Sequence, residues 1–451
     1  MIRRLSVLGF VVAAVTAVGT TPAHAHGIGG REDLPVPLEL FIVGAGLAIV
    51  VSFLVVASRW TTPRMQDGPF DRSSRLTVLG ALPPLLKLIG LVGLALVLLG
   101  GIIDGTESRN NIGPVLVFVF FWLVVPYLAV VLGDLWPYAS PFRSIARWAN
   151  GDRQERPDLL ADFGVWPATV AFVAFTWLEL VSPDNVFPRT LAIAAIVYTL
   201  YVLVITAVAG VETGLRIGEA FATYNRLIGS IAPIAIERGE HGVRVVHRGW
   251  LRALPALPEG KGVAAFTVAM IGTVTYDGAS SSTWWGEAFG DLTRETWFGT
   301  VALVAVVMLV GLAYLAASWA AARLAGTGAT LDVARRFAHT LVPIGFAYAF
   351  AHYFTLMLFE GQLLFRTASD PFGLGWDLFG TADWVSVQFL PSLAIWYIQV
   401  ATIVAGHIAG VVLSHDRALA DFGRERATTS QYAMLVLMVL LTSVGLLILA
   451  G

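Results

Sequence analysis

His339-Thr-Leu-Val-Pro343-Ile-Gly-Phe-Ala-Tyr348-Ala-Phe-Ala-His352-Tyr-Phe-Thr-Leu-Met-Leu-Phe-Glu360-Gly-Gln362 is the stretch on which the reading of this chain turns. It is apolar enough to span a bilayer, yet it holds two histidines and a helix-interior proline, all of them costly in hydrocarbon. Pro343 has no backbone donor and frees the carbonyl of His339, four residues earlier, so a kink and a spare acceptor are expected beside the first histidine. The 13 residues from His339 to His352 amount to roughly 20 Å at about 1.5 Å per helical residue, too far for one small site.

The rest of the chain has the same character. Of 451 residues, 57% are apolar and only 13% charged, and the mean hydropathy is +0.74, far from the composition of a soluble globular domain. The fold class is therefore all-α integral membrane, with about ten transmembrane helices behind a cleaved signal peptide. In residues 1–25, Arg3 and Arg4 form a basic start, Leu5 to Gly19 an apolar core and Ala23-His24-Ala25 a cleavage site, leaving 26–451 as one polytopic membrane domain that begins at His26. Apolar runs of about 20 residues place spans near 38–58, 80–103, 114–132, 165–181, 189–210, 262–277, 298–320, 338–359, 385–413 and 432–450.

The basic residues orient these spans. The loops beginning at Arg59, Asp134, Val211, Ala321 and Ser414 carry 4, 4, 7, 3 and 3 Lys or Arg, 21 in all, against five (Arg31, Arg109, Arg189, Arg294, Arg366) on the other side. By the positive-inside rule the first set is cytoplasmic, so the chain is expected in the plasma membrane with both mature termini outside. The longest cytoplasmic loop, 211–261, combines an amphipathic helical pattern from Arg216 to Ser230 with a hairpin pattern from Ile234 to Val246. Gly133-Asp-Leu-Trp, running on to Ser144-Ile-Ala, is echoed by Gly218-Glu-Ala-Phe and Ser230-Ile-Ala, each after an outward-to-inward span. Such an echo fits either coincidence in an apolar sequence or a parallel duplication of two-helix units.

Several chemistries drop out. There is no cysteine, which removes disulfides, thiolate ligands, iron–sulfur clusters and a thiol nucleophile, and leaves imidazole, carboxylate and carbonyl oxygen as ligands. No G-x-x-x-x-G-K-[ST] motif is present, so a nucleotide is not expected as partner, nor is a nucleic acid; the lipid bilayer is.

Intramembrane ionisable groups are the functional candidates. His352 and Gln399 each lie 14 residues from the inner end of antiparallel neighbouring spans, roughly 21 Å deep, so a hydrogen bond between them is geometrically possible; Tyr348, one turn before His352, is a second candidate partner. His339, His407 and His415 gather toward the inner side as a second cluster, although the eight positions separating His407 from His415 are not metal-site spacing. A freed N-terminal His26 offers an α-amine and a ring nitrogen, a pair suited to copper, with His352 as the only other mature histidine of the outer half. Asp277 and Glu360 end inward-to-outward helices beside His352 as walls of an outward cavity, and Lys87, Glu179 and Glu212 are further charges inside or at the rims. Each histidine also has a bland reading as a neutral interhelical hydrogen-bonding group.

The combination of His26-Gly-Ile-Gly-Gly-Arg-Glu-Asp-Leu-Pro-Val-Pro, Gly133-Asp-Leu-Trp, the His339 to Gln362 stretch and Gly406-His407 with Ser414-His415-Asp-Arg-Ala-Leu resembles multi-pass membrane proteins of actinobacteria labelled fenitrothion hydrolase-like. That resemblance covers most of the mature chain and implies membrane-bound hydrolysis of organophosphate esters. It brings no catalytic motif with it, since neither G-x-S-x-G nor H-E-x-x-H occurs. Two hypotheses follow: a membrane protein that binds or transports a metal ion, copper or zinc, or ligates haem, through an outward-facing histidine and carboxylate site; and a metal-dependent membrane hydrolase with Asp277 or Glu360 as base.

Overall fold

The computed structural model describes residues 37–66, 72–74, 80–103, 105, 110–239 and 242–450; the expected signal segment and His26 lie outside them. In chain order the principal helices are α1 (Leu38–Arg59), α2 (Leu82–Ile103), α3 (Ile112–Leu132), α4 (Pro141–Asn150), α5 (Trp166–Leu180), α6 (Pro188–Ala209), α7 (Val211–Gly218), α8 (Ala220–Gly229), α9 (Val263–Ser280), α10 (Thr296–Ala325), α11 (Val342–Glu360), α12 (Ser392–Ser430) and α13 (Tyr432–Ala450). The strands are β1 (Arg72–Ser74), β2 (Ile234–Gly239) and β3 (Gly242–His247).

Eight helices among the described residues are long and apolar enough to cross a membrane: α1, α2, α3, α6, α10, the Thr330–Glu360 rod that contains α11, α12 and α13. A ninth span arises if α5 is taken with Pro157–Phe163, from which it bends by 65°. The 22 residues of α1 and of α2 give about 33 Å at about 1.5 Å per residue, a bilayer's hydrocarbon thickness. Their outward side chains, Leu40, Leu47, Leu54, Leu85 and Leu88 among them, are exposed as a lipid-facing surface requires. By length and apolarity the count falls short of the ten expected. The segment at 262–277 is α9, which carries Asp277 and three threonines; it packs against α5, α10, α11 and α13, and most of its residues are buried. A helix surrounded by protein does not need the hydropathy that lipid demands.

A second correction concerns Pro343. It stands in the first turn of α11 after a 3-10 turn, Ala338–Leu341, so it does not interrupt a helix interior, and the His339 carbonyl is taken by the Val342 N–H. Proline is well tolerated there because the first-turn N–H groups have no intrahelical partner anyway.

The third correction is the largest. The hairpin at 234–247 is present, and β1 extends it to an antiparallel sheet in the order β1-β3-β2. The segment before it, read as a cytoplasmic amphipathic helix, is instead two short helices, α7 and α8, almost wholly buried between α3, α5 and α6. Glycine permits this. A Cβ at Gly214 would lie 2.8 Å from Thr206 Cα, so only glycine lets α7 fold back so closely onto α6.

The face that carries the Lys- and Arg-rich loops is tied together by polar contacts. Lys87 Nζ sits 5.0 Å from the ring centre of Trp148, on α4. Asp416, wholly buried in the continuation of α12 beyond its expected span, accepts hydrogen bonds from Trp60 Nε1 (3.0 Å), Arg64 N (2.6 Å), Met65 N (3.2 Å) and Gln66 Nε2 (2.8 Å). The carboxylate therefore pins the chain leaving α1 to α12 without any cationic partner among those donors. Asp416→Ala orphans these donors, at about 1–3 kcal/mol for each that stays buried. The expected result is a clear drop in thermal midpoint in detergent and protease cleavage within 60–66, both read against wild type.

Candidate functional site

Where α9 and α11 meet, away from the basic loops, three side chains converge on one oxygen. His352 Nε2 lies 2.9 Å from Asp277 Oδ2, and the Tyr353 hydroxyl donates to the same oxygen at 2.7 Å. Tyr353 follows His352 directly on α11, and the two rings meet edge to face with centroids 4.8 Å apart. The side chains of Asp277 and His352 are 17% and 22% exposed, so the pair is largely withdrawn from its surroundings but still reachable. A small cavity, about 20 Å³ of room for a water-sized molecule, opens beside His352 between Val274, Tyr348, Ile403, Gly445 and Ile448.

A second carboxylate stands behind this pair. Glu179, near the end of α5, is within Coulombic reach of Asp277, and the indole of Trp122 acts on its carboxyl. Neither Glu179 Oε2 nor Trp122 Nε1 completes a hydrogen bond. Trp122 stacks on Tyr224 of the inserted helix α8, with centroids 5.0 Å apart and planes at 24°. Tyr224 in turn lies within Coulombic reach of Glu179. An ionised carboxylate in an apolar bundle needs a partner; Asp277 Oδ2 has two and Glu179 Oε2 has none.

At the other end of the bundle lies a second polar group. Glu219, at the junction of α7 and α8, accepts from Trp136 Nε1 (2.7 Å), Tyr198 Oη (2.8 Å) and its own Phe221 N (3.0 Å). Asp134 accepts from Trp136 N at 3.0 Å, the same bond to the residue two positions on. Burial pushes the Asp134 carboxyl from the usual 3.8 up to about 7, over the opposing pull of the Trp136 N–H and Arg226, with Glu219 adding to the rise and Arg143 working against it.

The remaining candidates are placed as follows. Gln399 does not meet His352: its Nε2 donates to the Ala351 carbonyl at 2.7 Å and reaches Thr355 Oγ1 at 3.4 Å, because on the facing helix a backbone acceptor comes nearer than the imidazole. Tyr348 gives its hydroxyl to the Leu441 carbonyl on α13 and packs on Gly445, so it shares the cavity wall with His352 but is not its partner. His339, His407 and His415 each bond through one ring nitrogen to a different carbonyl, of Arg336, Ile403 and Trp60, and leave the other nitrogen unpartnered. They form no inner ligand cluster, and no group of three or more His, Cys, Asp or Glu among the described residues could hold a metal ion. Glu360 is exposed at the end of α11.

No family model, curated protein or solved structure matches the chain. The site therefore has to be read from its own chemistry.

Sequence reasoning brought Asp277 to the side of His352 through topology and missed Tyr353, Trp122 and Tyr224. Glu179 carried a usable signal, a carboxylate in an apolar span; the tyrosines and tryptophan carried none, because aromatic residues are common throughout membrane helices.

Two predictions follow from this geometry. His352→Gln and Asp277→Asn each lower stability by up to about 3–5 kcal/mol, since each leaves a buried polar group without its partner; the double variant loses less than the sum in a thermal-unfolding cycle. For Asp134, a carboxyl raised from 3.8 to about 7 on folding contributes stability that is fully present below about pH 4 and lost as pH rises to about 7. The difference in thermal midpoint between wild type and Asp134→Asn therefore swings against wild type across that window and is flat above it.

Proposed function

We propose that this multi-pass membrane protein carries, with its basic loops in the cytoplasm, an outward-facing histidine and carboxylate site at Asp277, His352 and Tyr353 that handles a cation, and that the cation is a proton. The observation that carries the reading is the pair of hydrogen bonds to Asp277 Oδ2 from His352 and Tyr353 inside the apolar bundle, with Glu179 in Coulombic reach. Two neighbouring carboxylates and an imidazole exchange protons readily, because each protonation changes the field on the others. Ionisable groups kept inside a membrane characteristically serve such relays.

The donor set favours a proton over the metals expected from the sequence. Copper and zinc ask for three or four nitrogen, sulfur or oxygen ligands, whereas Asp277 and His352 supply two, and the further ligand expected in His26 lies outside the described residues. Hydrolysis of an organophosphate ester by a histidine-bound metal would need the same additional ligands.

The test uses full-length protein purified in detergent with ¹⁵N-labelled histidine. The His352 ring signals, assigned by their loss in His352→Gln, are expected to shift as pH is stepped, and Asp277→Asn to displace that titration. Elemental analysis, a visible spectrum and an assay with an aryl phosphotriester run alongside. Stoichiometric copper, zinc or haem lost in His352→Gln, turnover of the phosphotriester lost in the same variant, or a His352 signal that never titrates would overturn the proton reading.

A further inference from the structure

Resting on the reading of Asp277 and His352 as a proton site, we propose that Glu179, Tyr224 and the polar side chains of α8 continue it as a proton-conducting track through the bundle, ending at Asp134 on the basic face.

Continuity is the first argument. Tyr353 lies within Coulombic reach of Asp277, Glu179 and Tyr224 together. Tyr224 belongs to α8, whose Thr223, Asn225 and Arg226 occupy the same turn. Arg226 in turn lies within Coulombic reach of Asp134 and Glu219. The end of α8 touches the Asp134 backbone, since a Cβ on Gly229 would sit 2.6 Å from Asp134 N. Arg143, which acts on Asp134, pairs at 2.8 Å with the half-exposed Glu212. The polar groups thus run from one end of the bundle to the surface at the other, by way of a helix that leaves the cytoplasmic loop to enter the core.

Unmet hydrogen-bonding capacity is the second argument, and it is independent of the first. Among the described residues, eleven buried side-chain nitrogen or oxygen atoms lack a partner, and five of them fall on this course: Glu179 Oε2, Trp122 Nε1, Thr223 Oγ1, Asn225 Oδ1 and Arg226 Nε. Trp122, Thr223 and Asn225 are no more than 3% exposed. Native interiors leave few such atoms, and where they cluster a bound water completes their bonds.

Size selects the proton. Trp122, Tyr224 and Phe172 pack face to face or tilted with ring centroids 5.0 to 5.8 Å apart, which leaves no room among them for a metal ion with its six or more oxygen ligands. In each passage an O–H bond forms on Glu179 as the Asp277 and His352 pair gives up its proton. The bond breaks as Glu179 gives that proton to a water or to the Tyr224 oxygen, whose own O–H proton moves on toward Asp134; Asp134 takes it up as it releases one to the basic face, and the Asp277 and His352 pair takes a fresh proton from the opposite side. Every group returns to its starting charge, and the proton gradient supplies the driving force.

The experiment reconstitutes the full chain in liposomes with a trapped pH-sensitive dye and a potassium diffusion potential set by valinomycin. Wild type is expected to carry protons, Glu179→Gln and Asn225→Leu to cut the initial rate about tenfold or more, and the surface variant Asp291→Asn to match wild type. Tyr224→Phe and Thr223→Val, which keep shape and remove a hydroxyl, replace any variant that fails size-exclusion chromatography and are expected to slow flux likewise. Flux abolished by His352→Gln but untouched by the Glu179, Asn225, Tyr224 and Thr223 variants overturns the track and leaves the Asp277 site standing. Absence of wild-type flux while His352 still titrates does the same. Absence of that titration overturns the site reading itself.

Discussion

An ionisable carboxylate inside an apolar bundle has to be satisfied by protein, because neither lipid nor aliphatic side chains can do it. At Asp277 that requirement is met by two consecutive residues of α11, His352 and Tyr353, whose side chains both reach one oxygen. The bond fixes how α9 and α11 approach each other. It also explains why α9, with its threonines and Asp277, lies among α5, α10, α11 and α13. Turned toward lipid, the same helix would expose the carboxylate to hydrocarbon; enclosed, it becomes the axis about which the more apolar helices pack.

The same principle operates at the basic face with different partners. Asp416 is held by backbone and side-chain N–H groups of residues 60–66, and Glu219 by an indole, a phenol and its own helix start. Asp134 and Glu219 each accept from the backbone N–H two residues later. The echo between Gly133-Asp-Leu-Trp and Gly218-Glu-Ala-Phe therefore has a structural counterpart in a shared turn. Glu179 is the exception among these carboxylates, for one of its oxygens has no partner. A fully satisfied carboxylate is a structural fastening, whereas an incompletely satisfied one beside another ionisable pair is poised for exchange.

Much of this was legible beforehand. Apolar runs located the spans, the Lys and Arg asymmetry sorted the loops into two sets, and the Ile234 to Val246 pattern announced the hairpin that β2 and β3 form. His352 and Asp277 could be assigned to the same end of the bundle because both lie in the later half of spans expected to run in the same direction. Gln399 shows where depth alone stops: equal depth in two helices brings side chains to the same level, but rotation about each axis decides what they face, and Gln399 faces the Ala351 carbonyl. The inner histidines failed likewise, each satisfied by a carbonyl nearer than the other rings.

Hydropathy and charge are sums along the chain, and by themselves they determined that this protein is a multi-pass helical membrane protein with a histidine and carboxylates displaced into its interior. Only the tertiary structure decided that α7 and α8 leave the loop and enter the bundle, because that depends on close backbone approach at glycines such as Gly214 and on partners for Glu219 contributed from 136 and 198. It alone also joined Tyr353, Glu179, Trp122 and Tyr224 to the site. Their side chains come from four helices, and no periodicity within one helix specifies the rotation of its neighbours.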